Sequence, residues 1–142
     1  MSFQHILVAY DGSELSKKAL HKAIALVTDS PAKLEVVYVL HNPVIVIGES
    51  VIPTTAHFEA GYLDESQAML EHVDAEIAHL PNAKTTLLQG SPSDVMVSYA
   101  KAEGADLIVI GSRGLSDFKE LFLGSVSHYV VQHAEVPVLV VK

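Results

Sequence analysis

The chain has 142 residues, of which 9 are Lys or Arg and 17 are Asp or Glu, so its formal net charge is −8. This length predicts one domain spanning residues 1–142, and 49% hydrophobic residues supply enough apolar side chains for one core. The acidic balance argues against binding to nucleic acid or to an anionic membrane, since both partners require a basic surface. Because cysteine is absent, a disulfide scaffold, a thiolate zinc site and thiol catalysis are excluded.

The amino-terminal residues lack the features of a targeting segment. Met1 to His5 contain no Lys or Arg, and the apolar run that follows them is short. No stretch approaches the roughly 18 consecutive apolar residues of a membrane-spanning helix. We therefore expect a cytoplasmic protein.

Strand-like and helix-like segments alternate in the first part of the chain. Ile6 to Tyr10 is a short apolar run that predicts a buried strand, and Asp11-Gly12-Ser13 predicts the turn that ends it. Apolar residues recur at helical spacing from Leu15 to Val27, with Ser13 as the N-cap. Leu34 to Leu40 predicts a second strand, which completes the strand-helix-strand unit of parallel sheets.

The same alternation continues to the end of the chain. The predicted elements are a helix over 62–80, a strand over 85–89, a helix from Pro92 to Glu103, a strand over 107–110, a helix over 125–133 and a strand over 136–141. Ser91 at the N-cap and Pro92 at the first helical position are typical of a helix start. Residues 41–61 match no element well, and a connection of that length is usually functional.

These segments predict an α/β fold. Strands with continuous apolar character that alternate with helices favour an open five-stranded, mainly parallel sheet with helices on both faces. Val136 to Val141 is the last strand and has apolar residues on both faces. We expect this strand at an edge of the sheet, where it can pair with a second chain, or else covered within its own subunit.

Two strand ends carry the residue types of a phosphate site. Ligands of open α/β sheets bind beyond the carboxyl ends of the strands. Asp11-Gly12-Ser13 follows the first strand, and Gly111-Ser112-Arg113-Gly114 follows the fourth, nine residues before Gly124-Ser125 opens a helix. Glycines allow backbone N–H groups to approach a phosphate, and a helix N-terminus adds free N–H groups and a favourable dipole. The pattern therefore predicts a polyphosphate cradle, although both the P-loop motif and the G-x-G-x-x-G motif are absent.

Each of these assignments has a structural alternative. Gly111 and Gly114 could form only a tight turn, and Asp11-Gly12-Ser13 could be only a helix-capping turn. Arg113 is the single arginine among the nine cations. Its guanidinium could bind phosphate through two hydrogen bonds or could face solvent.

The complete set of motifs resembles the ATP-binding subgroup of the universal stress protein family. The resemblance covers essentially the whole chain and depends on Asp11 at the end of the first strand and on the spacing of Gly111, Gly114 and Gly124-Ser125. It implies a Rossmann-like fold of the adenine nucleotide alpha hydrolase type. It also implies that ATP or another adenine nucleotide binds together with Mg²⁺, which prefers phosphate oxygens and a carboxylate such as Asp11.

The resemblance also implies a role for individual residues. Asp11 contacts the ribose or the metal-phosphate region, and the main chain of Val39 hydrogen-bonds adenine. The remaining residues divide into a base pocket near Ala9 and Tyr10, a phosphate cradle at Gly111, Arg113 and Gly114, and an outer-phosphate site at Gly124, Ser125 and Val126. A homodimer through antiparallel pairing of residues 136–141 is implied as well.

The leading hypothesis is a homodimeric, ATP-binding stress-response module whose nucleotide occupancy alters a surface recognised by another, unknown protein. Hydrolysis is expected to be slow at most, because no general base for water is assigned. One alternative is a nucleotide-dependent transferase or hydrolase, although the His-x-Gly-His motif of related nucleotidyl transferases is absent. The other alternative is a dimeric interaction adaptor with a vestigial pocket.

Overall fold

The computed structural model describes residues 3–41, 44–47, 50–53, 56–114 and 123–142. In chain order the elements are β1 (His5–Ala9), α1 (Glu14–Val27), β2 (Lys33–Leu40), β3 (Val44–Ile47), β4 (Ser50–Pro53), α2 (Ala56–Ile77), β5 (Ala83–Gln89), α3 (Pro92–Glu103), β6 (Leu107–Gly111), α4 (Ser125–His133) and β7 (Val138–Val141).

Five strands form a parallel sheet in the order β5-β2-β1-β6-β7. The chain runs outward from β1 through β2 to β5, and then crosses to the other side of β1 to form β6 and β7. This reversal creates a topological switch point at the carboxyl ends of β1 and β6, the place where ligands of open α/β sheets bind. The predicted fold class is confirmed.

Helices cover both faces of the sheet. Val8 packs with residues of α1 and α2, including Leu20 and Val73, in one buried cluster. Leu7 packs with residues of α3 and α4, including Met96 and Val130, in a second cluster on the other face. Because successive residues of a strand point to opposite faces, the central strands have apolar residues at most positions, with His5 and Glu35 as buried polar exceptions.

Two predicted helix starts are confirmed, with different capping. Ser13 is the N-cap of α1, and its Oγ accepts a hydrogen bond from the Ser16 N–H at 3.2 Å. Ser91 is the N-cap of α3, with Pro92 following it, but the Ser91 side chain makes no capping hydrogen bond. The first backbone bond of α3 is instead the one from the Val95 N–H to the Ser91 carbonyl, at 2.9 Å.

Residues 44–53 contain two strands that the sequence analysis did not assign, so the description of 41–61 as matching no element is wrong here. β3 and β4 pair antiparallel in a separate two-stranded sheet, with Val44 opposite Pro53. Each strand has four residues, too few for a periodic pattern to be informative, and proline counts against a strand. Both strands of a two-stranded sheet have an open edge, so the missing N–H of Pro53 is tolerated.

Several element boundaries also differ from the prediction, and two of these differences have a simple physical reason. Helix α2 begins at Ala56 rather than Tyr62, because its first turns contain Gly61, whose low helix propensity hides the start. Strand β7 begins at Val138 rather than Val136, since Pro137 has no N–H to contribute to the ladder. The Pro137 carbonyl nevertheless accepts a hydrogen bond from the Ile108 N–H at 3.0 Å. As predicted, β7 lies at an edge of the sheet.

A buried carboxylate joins three strands and a helix toward the amino-terminal end of the sheet. The side chain of Glu35, on β2, is completely buried. It is hydrogen-bonded to His5 Nε2 at 3.1 Å, to the Thr86 hydroxyl at 2.5 Å and to the Tyr99 hydroxyl. Burial acts to raise the pKa of Glu35, but these hydrogen bonds hold its pKa below the ordinary value. The network fixes α3, whose opposite end contributes to the cavity described next.

Candidate ligand-binding site

A cavity of about 200 Å³ lies beyond the carboxyl ends of β1 and β6, at the switch point of the sheet. All the site residues predicted from the sequence, with the exception of Gly124, line this cavity. Pockets that enclose most of a small ligand have volumes of about 300–1,000 Å³. The described walls would therefore enclose part of such a ligand, with the rest extending out of the cavity.

One wall of the cavity is formed by the end of β2, which extends past the end of β1. The Tyr10 N–H donates a hydrogen bond to the Val37 carbonyl at 3.0 Å, and on the opposite side of β2 the Leu40 carbonyl accepts one from the Gly90 N–H. Peptide groups alternate between the two sides of a strand. The N–H and C=O of Val39 are therefore directed to the same side as those of Val37, beyond the end of β1. The cavity thus receives one backbone donor and one backbone acceptor from Val39.

The turn after β1 both caps α1 and places Asp11 on the cavity wall. Asp11 Oδ1 accepts a hydrogen bond from the Ser13 N–H at 2.9 Å, so the capping interpretation of this turn applies. Asp11 and Ser13 also line the cavity. Gly12 has a φ of +84°, and a Cβ added to it would lie 2.7 Å from the Met69 sulfur. Helix α2 therefore packs directly against this turn.

Gly111 has a packing role that is independent of any ligand. A Cβ on Gly111 would lie 2.9 Å from the backbone carbonyl carbon of Leu15 and 2.9 Å from its Cβ. Since real Cβ atoms do not approach this closely, the end of β6 can contact the first turn of α1 only if residue 111 is glycine. The same residue lines the cavity.

Arg113 and Gly114 follow β6 and also lie on the cavity wall. The structure thus places Arg113 at the cavity, although the sequence left a solvent-facing position open. Asp11 and Arg113 are the charged residues in the described lining, and their formal charges cancel. The described side chains therefore bring no net formal charge to the cavity.

The first residues of helix α4 lie at the cavity, and their backbone N–H groups have no partners within the helix. Gly124 is its N-cap, with an extended backbone, and the first intrahelical hydrogen bond runs from the His128 N–H to the Gly124 carbonyl at 2.9 Å. The N–H groups of the intervening residues have no partner within the helix. These residues, Ser125, Val126 and Ser127, all line the cavity. The start of α4 therefore directs backbone donors and the positive end of the helix dipole toward the cavity.

Sequence reasoning missed part of the wall. Pro92 and Met96 of α3 contribute to it, as do Ser16 and Ser127. The helix start at Pro92 is visible in the sequence, but only the strand order brings that end of α3 to the same cavity. Val37 was also missed, and its spacing of two residues from Val39 on one strand is a signal that could have found it.

Two further observations concern the described residues as a whole. Within the part of the chain that the structure describes, no helix is long and apolar enough to cross a membrane. In the same residues, no three His, Cys, Asp or Glu side chains lie together in a way that could hold a metal ion. The fold and cavity define an α/β protein of the open-sheet class, with a cavity at the switch point whose walls include the end of β2 and the start of α4.

Comparison with known proteins agrees with this class. A sequence profile of the Universal stress protein family matches residues 2–142. Universal stress protein YxiE of Bacillus subtilis is 35% identical over 147 residues, which cover 99% of each chain. The structure of universal stress protein UspA from Lactobacillus plantarum has a TM-score of 0.77 at 25% identity, with coverage of 100% of this chain and 99% of that chain.

A further similar structure is that of a universal stress protein in complex with cAMP. Its TM-score is 0.66 at 27% identity, and the match covers 100% of this chain and 98% of that chain. Taken with the profile match and the identity to the Bacillus protein, these findings show that the chain belongs to the universal stress protein family.

Proposed function

We propose that this protein is an ATP-binding universal stress protein, organised as one domain over residues 1–142, whose nucleotide occupancy alters a surface recognised by another protein. The proposal rests on one observation, which is that two features lie at the same cavity. The uncapped start of α4 faces the Gly111 to Gly114 segment, and the main chain of Val39 lies on a separate wall.

The wall around Val39 suits an adenine base. Adenine carries an amino donor beside ring-nitrogen acceptors, which complements the N–H and C=O that Val39 directs beyond the end of β1. Val37, Met96 and Ile110 supply apolar surface for the faces of the ring. The related protein solved with cAMP supports an adenine nucleotide as the ligand class.

The opposite wall suits phosphates and a divalent cation. Backbone N–H groups at the start of α4, the glycine-containing segment after β6 and the Arg113 guanidinium are all phosphate donors. The carboxylate of Asp11 fits Mg²⁺, a hard cation that binds carboxylate and phosphate oxygens together. When bound, Mg²⁺ would offset the phosphate charge, which the described lining does not neutralise by itself.

The proposal includes a homodimer formed through β7. This strand is at an edge of the sheet, and Leu139 remains 37% exposed within one subunit. An apolar edge strand without charged residues favours pairing with a second copy. Antiparallel pairing of residues 136–141 would extend the sheet across two subunits.

We expect binding rather than efficient turnover. The described lining contains one carboxylate, Asp11, and its Oδ1 already accepts the Ser13 N–H. A group placed to remove a proton from water is therefore not evident among these residues, and positioning alone gives slow hydrolysis.

The proposal is tested by mass spectrometry of whatever co-purifies with the protein and by calorimetric titration with ATP, with and without Mg²⁺. We expect an adenine nucleotide in the first measurement and Mg²⁺-dependent binding in the second. Gly114→Val, which adds a branched side chain on the phosphate wall, should weaken ATP binding at least about tenfold and leave thermal unfolding nearly unchanged.

An empty pocket combined with no detectable heat of binding would contradict the proposal and favour an adaptor with a vestigial site. Rapid, stoichiometric release of phosphate or pyrophosphate in the presence of a defined acceptor would instead favour the transferase or hydrolase alternative. The matched control for Gly114→Val is Ser66→Ala, a change in a buried residue of α2 that lies outside the described cavity lining.

A further inference from the structure

The buried hydroxyl of Ser127 is hydrogen-bonded in a way that bears on the phosphate wall. We infer that Ser127 is a positioning residue: its hydroxyl holds the start of α4 against the end of β6, in the geometry that receives the outer phosphates. This inference rests on the proposed function, because it concerns the same site.

The Ser112 carbonyl accepts hydrogen bonds from two residues at the start of α4. The Ser127 Oγ donates to the Ser112 carbonyl at 2.8 Å, and it lies 3.1 Å from the Gly124 carbonyl. The Gly124 N–H donates to the same Ser112 carbonyl at 2.7 Å. The Ser112 carbonyl therefore ties both the N-cap residue and the third helical residue to the end of β6.

The Ser112 peptide is itself fixed to the sheet. Ser112 directly follows the last residue of β6 and is 3% exposed. Its N–H donates to the carbonyl of Val141, in β7, at 2.8 Å. The start of α4 is thus held to the sheet by hydrogen bonds among described residues.

The bonding of Ser127 favours a positioning role over direct contact with a phosphate. Ser127 lines the cavity but is only 2% exposed. A hydroxyl has a single proton, and here that proton is directed at backbone carbonyls. A phosphate oxygen only accepts hydrogen bonds, so it cannot form one with the remaining lone pairs of Ser127 Oγ. The effect on a nucleotide passes instead through the N–H groups of Ser125 and Val126.

The two walls of the cavity should respond differently to loss of this hydroxyl. Val39 is on β2 and does not depend on the position of α4. The backbone donors of Ser125 and Val126 move with the first turn of α4. Removing the Ser127 hydroxyl should therefore weaken the binding of a nucleotide with outer phosphates and leave the binding of a nucleoside nearly unchanged.

The experiment compares ATP and adenosine on the full-length protein by calorimetry in Mg²⁺. For Ser127→Ala we expect about tenfold weaker ATP binding, corresponding to one hydrogen bond, and adenosine binding within about twofold of wild type. Ser127→Thr keeps the hydroxyl and should restore most of the ATP affinity. In ligand-free protein, amide exchange at Gly124 should be faster in Ser127→Ala than in wild type.

Three outcomes would overturn the inference. They are equal weakening of ATP and adenosine, no weakening of either, and ATP-selective weakening with unchanged exchange at Gly124, which would indicate direct contact. Ser66→Ala controls for general loss of stability and should bind both ligands as wild type does. If wild type binds neither ATP nor adenosine, the proposed function itself is wrong. In that case, faster exchange at Gly124 in Ser127→Ala would show that the Ser127 hydrogen bonds have only a structural role.

Discussion

The end of β6 contacts the first turn of α1 so closely that a Cβ on Gly111 would lie 2.9 Å from the backbone of Leu15. A glycine that resembles part of a phosphate motif is therefore required by the packing of a helix on the sheet. Replacement of Gly111 consequently tests the fold before it tests ligand binding.

Gly111→Ala should destabilise the protein by about 1–3 kcal/mol, because the added methyl group meets backbone atoms that cannot rotate away. Urea unfolding monitored by circular dichroism measures this change. Gly104→Ala is the matched control: a Cβ there meets nothing within 4 Å, so only the φ of +69° opposes it, at about 1 kcal/mol. A smaller loss for Gly111→Ala than for Gly104→Ala would contradict the packing argument.

Asp11→Asn separates cation binding from turn formation. Asparagine keeps an Oδ1 that can accept the Ser13 N–H, so the turn and the start of α1 should be preserved. We expect about tenfold weaker ATP binding in Mg²⁺ and little change in EDTA, since only the metal-dependent part is lost. Calorimetric titration in both buffers provides the measurement. An equal loss in both buffers would show that Asp11 contacts the nucleotide directly and not through a cation.

The Glu35 network should make stability depend on pH at the acid end. The pKa of Glu35 is lower in the folded protein than its ordinary value, so its stabilisation is present above about pH 4.3 and is lost as the pH falls through the folded-state pKa. Tyr99→Phe removes one donor from this carboxylate and should cost about 1.5–3 kcal/mol at pH 7. It should also flatten the acid part of the profile, measured by urea unfolding between pH 3 and 7.

Tyr99 should also make the stability of the protein depend on pH in the alkaline range. Burial, together with the hydrogen bond to Glu35, raises the pKa of Tyr99 to about 12. Because the folded-state pKa is raised, this stabilisation is complete below about pH 10 and is lost as the pH rises toward 12. Absorbance titration of the tyrosines should show a late step in wild type that is missing in Tyr99→Phe. Identical titration curves would contradict this assignment.

The open edge of β7 allows dimerisation to be tested with a substitution that should leave the fold of the subunit intact. Ile108 donates to the Pro137 carbonyl and Ser112 to the Val141 carbonyl, so residues 137, 139 and 141 direct their peptide groups at β6. Val140 therefore directs its N–H at the open edge. Val140→Pro should abolish dimers in sedimentation experiments with little effect on folding, because proline is tolerated where the N–H faces outward.

Leu139→Pro is the companion change, since it removes an N–H on the β6 side and should destabilise the fold itself. Dimers that persist in Val140→Pro, at the concentrations where wild type is dimeric, would exclude pairing through this edge. A wild-type protein that remains monomeric would contradict the proposed homodimer directly.

Local patterns predicted most of the elements because they depend on near neighbours in the chain. The apolar run before Asp11 and the Gly-Ser start of α4 are visible without any tertiary information, since strands buried on both faces and helix N-termini have short-range signatures. The start of α2 and the β3–β4 pair were missed. A glycine inside the helix and strands of four residues carry too little periodic signal.

The amino-acid sequence by itself determined the fold class and the family resemblance, because the residue types that allow close backbone approach occur at characteristic spacings. Through that resemblance it also named more than half of the residues that line the described cavity, whereas Val37, Met96 and Ser127 were missed. Only the tertiary structure decided why each residue is there. Gly111 is required by Leu15, and the start of α4 is held by Ser112 and Ser127. These contacts join segments distant in the chain, and they exist only once the strand order has brought β1, β6 and α4 together.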